Sequence, residues 1–428
     1  MSSDSGRWRL NGMMALIYTT QGAWWPLLAV HLQDLGLSGR ARGWMFATYA
    51  LASLATPLGI GQLADRRIPT QRLLGWTYAT SALVLAWLAT GTVRNPVVLF
   101  GIFLVYWLIT APGYGLAASL AFRNLDRPAQ QYARVRLWGT IGWMLVGWTL
   151  TLIQATGLIG PGTSIGTLAF GTGALISVVF AVYSFRVLPH TPPLDGASSR
   201  RRLDLTELVD LCRRRDVSVF LAVALSVSLT MPFVYQTMPP YLQKAGLPRP
   251  WISTAMTLSQ VLEIFGLAAL PWLHRRFSLR GSLALGIGAW AVEYLVMSLQ
   301  PPLILALIVL PLNGVAIAGF SVSGQMYLDL QAPAHRRAST QAIWIVLVTG
   351  LGSLLGSLLA GELLVRAGGV GSLVFQVPAL INLGALIALV SFFRPGSAAT
   401  PSPTPTAQTP ATASLALGKL APAPAGRD

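Results

Sequence analysis

The chain has 428 residues, of which 54% are hydrophobic and only 10% charged, with a formal net charge of +16 and a mean hydropathy of +0.60. A soluble domain carries about 25% charged residues, so this composition excludes a water-covered globule of this size and points to a lipid-facing surface. The arginines fall in short bursts between apolar runs, not on one soluble face, which excludes nucleic acid as the partner, and the lone Cys212 excludes an intrachain disulfide or a zinc cluster.

A span of roughly 20 apolar residues crosses the hydrocarbon core as a helix. In chain order such spans are predicted at 10–33, 43–63, 72–92, 96–121, 134–156 and 163–187. A hydrophilic stretch, 188–216, follows. Six more spans are predicted at 217–242, 251–273, 279–299, 302–328, 339–365 and 370–393. The expected fold is all-α: a polytopic membrane protein with twelve transmembrane helices in two six-helix bundles. The expected boundaries are 1–187 and 217–394 for the bundles, 188–216 for a cytoplasmic linker, and 395–428 for a tail. That tail is rich in Ala, Pro, Thr and Ser and lacks the apolar patterning needed to order itself. Pro26, Pro57, Pro112, Pro232, Pro271 and Pro311 fall in or near spans and mark expected bending points.

Lysines and arginines set the orientation. With the N-terminus in the cytoplasm, 23 fall on that side and 6 on the other, with Arg136 inside a span. Both termini are therefore expected to be cytoplasmic, in the inner membrane of a cell. The second and eighth spans are each followed by a basic turn, Asp65-Arg66-Arg67 with Arg72, and His274-Arg275-Arg276 with Arg280. Matched turns fit a parallel repeat of two halves.

A charge at mid-bilayer costs about 2.5–3.5 kcal/mol even on the mild insertion scale, so such residues face a cavity or a partner. Arg136, Glu263 and Glu293 stand out, with Glu362 weaker. Arg136, Thr140 and Trp143 are spaced i, i+4, i+7 and share a helical face. They combine a cation, a hydroxyl and a flat ring. Gln260 and Glu263, at i and i+3, share another face. Gln21 and Trp24, Tyr235 and Gln236, and Asn313 are expected near the same cavity. Two roles stay open for Glu263, a proton-coupling acid or one member of a fixed buried ion pair. For Arg136, snorkelling to lipid phosphates is the alternative.

Gly61-Gln62-Leu63-Ala64-Asp65-Arg66-Arg67 resembles the loop signature of the major facilitator superfamily. The resemblance implies a conformational latch in which Asp65 pairs with Arg66, Arg67 or Arg72. A narrower resemblance, to the nucleoside:proton symporter family, runs through Gly22-Ala23-Trp24, Arg136-Leu137-Trp138-Gly139-Thr140-Ile141-Gly142-Trp143, Leu188-Pro189-His190-Thr191-Pro192-Pro193, Ser259-Gln260-Val261-Leu262-Glu263, Ser323-Gly324-Gln325 and Arg337-Ala338-Ser339-Thr340-Gln341. It implies proton-coupled symport of a small polar solute, nucleosides first, by alternating access, in a monomer without cofactor. The sequence departs from that pattern at Pro232 and Tyr235, at Asn313 and Ile317, and at Ala318 where the family carries an acid. A sugar symporter and a drug exporter remain alternatives. No nucleophile triad, metal box or phosphate loop points to an enzyme.

Overall fold

The computed structural model describes residues 6–55, 68–158, 160, 163–192, 213–331 and 337–394. Asp65, Arg66 and Arg67 lie outside the described residues, as do most of 188–216 and the tail. All regular structure among the described residues is helical. Among the described residues, seven helical stretches are long and apolar enough to cross a membrane.

The first described segment is α1 (Arg7–Gly22), a 3-10 turn (Trp25–Leu27) and α2 (Leu28–Asp34). Pro26 sits in that turn, so the expected first span is broken at its proline. Next come α3 (Gly39–Ala55), α4 (Thr70–Ala89), α5 (Pro96–Asn124), α6 (Pro128–Ala155) and α7 (Ile165–Arg186). Asn95 starts α5 by accepting the Val97 and Val98 amides at 2.9 and 3.3 Å, with Pro96 at the first helical position. Ser164 caps α7 through the Thr167 amide at 3.0 Å.

The second part of the chain begins with α8 (Arg215–Ser228) and α9 (Met231–Lys244), separated at Leu229-Thr230 just before Pro232. A 3-10 turn (Arg249–Trp251) leads into α10 (Ile252–Met256) and α11 (Leu258–Ser298). Helix α11 has two arms that break at Ser278, whose φ of 61° lies where a non-glycine residue rarely sits. The break falls in the basic turn expected between two spans. Then come α12 (Leu303–Val309), α13 (Leu312–Ala316), a π-helix (Ile317–Val322) and α14 (Ser323–Gln331). Pro311 marks the interruption before α13. The chain closes with α15 (Arg337–Trp344), a second π-helix (Ile345–Gly352), α16 (Ser353–Arg366) and α17 (Ser372–Phe392).

In hydrocarbon, helices associate by close packing of small residues, because lipid tails supply no hydrophobic drive between them. Helix α1 lies against α6, where a Cβ on Gly142 would fall 2.6 Å from the Ala15 carbonyl oxygen. Helix α4 lies against α7, joined by a 3.2 Å hydrogen bond between Ser81 and Ser177. The second arm of α11 meets the first π-helix at Gly286, where a Cβ would fall 2.4 Å from the Phe320 nitrogen. Contacts between the two parts of the chain concentrate on α3 with α16 and with the second π-helix, then on α2 with α9 and α6 with α10.

Candidate functional site

Away from those tight contacts the two parts leave two adjoining cavities. The larger, about 540 Å³, is lined by Tyr18, Gln21, Tyr49, Ser53, Tyr114 and Thr349 among others. The smaller, about 310 Å³, shares Gln21, Tyr49 and Thr349 and adds Trp25, Trp143, Pro232 and Tyr235. Residues from both parts of the chain therefore form the walls. The second π-helix contributes Val348 and Thr349, consistent with the placement of such turns at functional sites.

The guanidinium carbon of Arg136 lies 3.9 Å from the centre of the Tyr18 ring, a close cation–π contact. Tyr18 packs against Tyr114 at 5.2 Å between ring centres, and the Tyr114 hydroxyl donates to the Gln21 side-chain oxygen. Arg136, Tyr18, Tyr114 and Gln21 thus form a linked row along the larger cavity. In the smaller one, the Tyr235 ring centre stands 6.0 Å from that of Trp25 and 6.4 Å from that of Trp143. The Gln260 side chain is a neighbour of the Tyr235 hydroxyl. Glu263 is half-buried and feels the charge of Arg136, yet no ion pair within 4.0 Å joins them among the described residues.

Gln21, Trp143 and Tyr235 line the cavities as expected residues, and Arg136 and Gln260 touch residues that do. Thr140 is buried one turn before Trp143. Arg72 is exposed in the first turn of α4. Three expected residues are turned elsewhere. Trp24 is fully buried among Phe103, Tyr106, Trp107 and Phe170, because the 3-10 turn after α1 rotates the face and presents Trp25 instead. Asn313 accepts the Trp290 indole N–H at 2.9 Å, which ties α13 to α11. Gln236 is buried on α9, with neither amide atom hydrogen-bonded among the described residues.

Tyr18, Tyr49 and Tyr114 were not expected. Tyr18 stands one turn before Gln21, a spacing that links the two on one face. Nothing in the sequence pattern separates Tyr49 and Tyr114 from core aromatics. Position 318 has a packing reason to be small. Ala318 is buried, and a Cβ on Gly266 would lie 2.9 Å from its own Cβ, so an acid here would meet the first arm of α11.

Residues 5–397 match the family model described as nucleoside H+ symporter. The chain belongs to this family. As a nucleoside H+ symporter family member it is a multi-pass transporter of the major facilitator type. It is 30% identical over 371 residues to YegT, a provisionally named nucleoside transporter of Escherichia coli (strain K12), covering 83% of this chain and 84% of YegT. It is 22% identical over 375 residues to the xanthosine permease of the same organism, covering 82% and 86%. A crystal structure of a variant of the nucleoside transporter NupG superposes with a TM-score of 0.80 at 18% identity, covering 91% of this chain and all of the other. That likeness fixes the fold of this family member.

Proposed function

We propose that the chain carries nucleosides across the inner membrane together with protons, as a monomer of twelve spans, by rocking residues 1–187 against 217–394 around the cavities. Both termini face the cytoplasm in this reading, and the tight contacts of α3 with α16 and α6 with α10 close the outer side. The observation that carries it is the pairing of ring walls with a polar row. Trp25, Trp143 and Tyr235 suit a flat base, and the Arg136–Tyr18–Tyr114–Gln21 row suits hydroxyls. Base–aromatic stacking contributes about 1–3 kcal/mol per base where it has been measured by alanine substitution.

Glu263 is the coupling acid in this reading. Its carboxyl stands near the Arg136 charge without being locked to it. A site that alternates between burial and a nearby cation can load and release a proton. Asp65, Arg66, Arg67 and Arg72 form the latch on the cytoplasmic side.

The test uses purified protein in two assays. A thermal-shift screen against nucleosides, sugars and lipophilic cations reads binding through mass-action stabilisation. Nucleoside hits are expected, and stabilisation by sugars alone overturns the substrate. Proteoliposomes then compare wild type with Glu263→Gln under an imposed pH gradient. Solute exchange at equal pH is expected to persist in the variant while its response to the gradient falls. An unchanged response removes Glu263 from coupling.

A further inference from the structure

Glu293, on the second arm of α11, has no part in that account. Its side chain is fully buried, and neither carboxyl oxygen has a hydrogen-bond partner among the described residues. The elements packed around it supply no counter-charge. Helices α17, α12 and α13 and the first π-helix contain no ionisable side chain. On α9, Tyr241 donates to the Pro301 carbonyl and Lys244 is held by Gln300 and the Val370 carbonyl. Arg280, on the same arm, is bonded to the Val390 carbonyl. It lies thirteen positions before Glu293, about 20 Å along a helix, so a pairing between the two is excluded. Arg136 on α6 stands against the first arm with Glu263, and Asp329 on α14 binds Gln341. Tyr294, its chain neighbour, is the titratable group that shares its field. An ionised carboxylate without a partner is not tolerated in such packing, and the neutral acid is the form that fits.

The second observation is where this acid sits. The Tyr294 hydroxyl donates to the Thr230 carbonyl at 2.8 Å. Thr230 occupies the break between α8 and α9, and its hydroxyl oxygen also accepts the Asn382 amide at 3.0 Å. One turn before Glu293, Trp290 holds Asn313. Glu293 is thus set between the contact that pins the α8–α9 hinge and the contact that pins α13. The residues just past the hinge, Met231, Pro232 and Tyr235, form one wall of the smaller cavity.

We propose that Glu293 is a second proton carrier of the transport cycle, neutral in the conformer described here and ionised when movement at the Thr230 hinge admits water. The proton comes from water on the outer side and leaves to the cytoplasm before the empty protein resets. Because the charged form fits only the opened hinge, protonation biases which wall Tyr235 presents to the solute. The proposal rests on the proton-coupled reading above and adds a proton to it.

The limiting accumulation of radiolabelled uridine and xanthosine in proteoliposomes tests it, at zero membrane potential and one pH unit across the membrane. Each coupled proton multiplies that limit by about ten. Wild type is expected at about 100-fold and Glu293→Gln at about tenfold, with exchange at equal pH retained in both. Glu293→Met supplies an independent variant, since replacing an unpartnered buried acid by an apolar residue does not weaken the packing. A variant that exchanges solute and accumulates as far as wild type overturns the proposal. So does a wild type that reaches only about tenfold. No pH-driven accumulation in wild type removes the symport reading itself, which is a distinct result.

Discussion

At one end of the seam between the two parts of the chain, backbone meets backbone; at the other, side chains stand around open volume. At the tight end a Cβ on Gly43 would fall 2.7 Å from the Ser357 carbonyl oxygen, and one on Gly39 would fall 2.6 Å from that of Gly361. Thr151 donates to the Pro250 carbonyl at 2.7 Å and accepts from Thr254 at 2.8 Å. Arg40 grips Glu362 at 2.6 and 3.1 Å, and Arg249 grips Asp34 at 2.7 and 3.3 Å. At the other end Tyr18, Tyr114 and Pro112 face Ala342 and Ile345 across the larger cavity. Small residues build the closure and large rings build the cavity, so the two ends can be perturbed separately.

Glycine contacts should carry the largest effect, because no rotamer change relieves a clash with backbone. Gly43→Leu is expected to push α3 off α16. Overpacking costs about 1–3 kcal/mol or more, which lowers the population of the closed end by roughly 5- to 150-fold. Transport should fall accordingly, and a cysteine at Ser53 should gain reactivity toward an impermeant maleimide from the outer side. Gly101→Leu is the control, since a Cβ there meets nothing within 4 Å. Equal transport and labelling in the two variants would break the comparison.

The cavity end should respond in affinity. Trp143→Ala removes a ring that neighbours Tyr235 and packs on Gly22, where a Cβ would lie 3.0 Å from it. Apparent nucleoside affinity is expected to drop by roughly 5- to 150-fold, the equivalent of one lost stack of about 1–3 kcal/mol. Trp143→Phe should recover most of it. Equal losses in both, with equal melting temperatures, would show that the ring is not a stacking surface.

These two positions also illustrate what the sequence carries. Trp143 was legible because Arg136, Thr140 and Trp143 repeat at helical spacing and an arginine inside a membrane span demands a reason. The breaks at Pro26, Pro232 and Pro311 were legible for the same kind of reason, a missing N–H and a fixed φ. Trp25 was not, since the face it presents depends on a 3-10 turn that displaces Trp24 into the core. The two π-helices left no pattern in residue spacing, yet one of them brings Thr349 to both cavities. Tyr49 and Tyr114 read as ordinary apolar filling until partners from distant segments surround them. Glu362 read as a weak intramembrane acid; its partner Arg40 is 322 positions away, a distance no local rule spans.

Polar closure at the tight end ranks third. Thr151→Val keeps the shape but removes two hydrogen bonds and leaves the Pro250 carbonyl without its donor. A net hydrogen bond contributes about 0.5–1.5 kcal/mol. Two such bonds together should lower the closed population by at least roughly fivefold, read by the same labelling at Ser53. No change in labelling would mean that Trp148 on Thr257, at 3.0 Å, holds α6 to the second part of the chain by itself.

The smallest effect is expected where the geometry looks strongest. Glu362 accepts from Arg40 through two nitrogens and from Arg366 at 3.0 Å, four positions along its own helix. The Arg40 and Arg366 side chains are 66% and 68% exposed. Water already solvates both guanidiniums, so removing the carboxylate loses attraction that solvent largely replaces. Glu362→Gln should shift the closed population by only about twofold. The shift should be greatest at low ionic strength, where these exposed charges are least screened. Labelling at Ser53 at low and high salt reads both expectations. A larger shift than that of Thr151→Val, or one indifferent to salt, would place the closure in the charges and not in the glycine contact beside them.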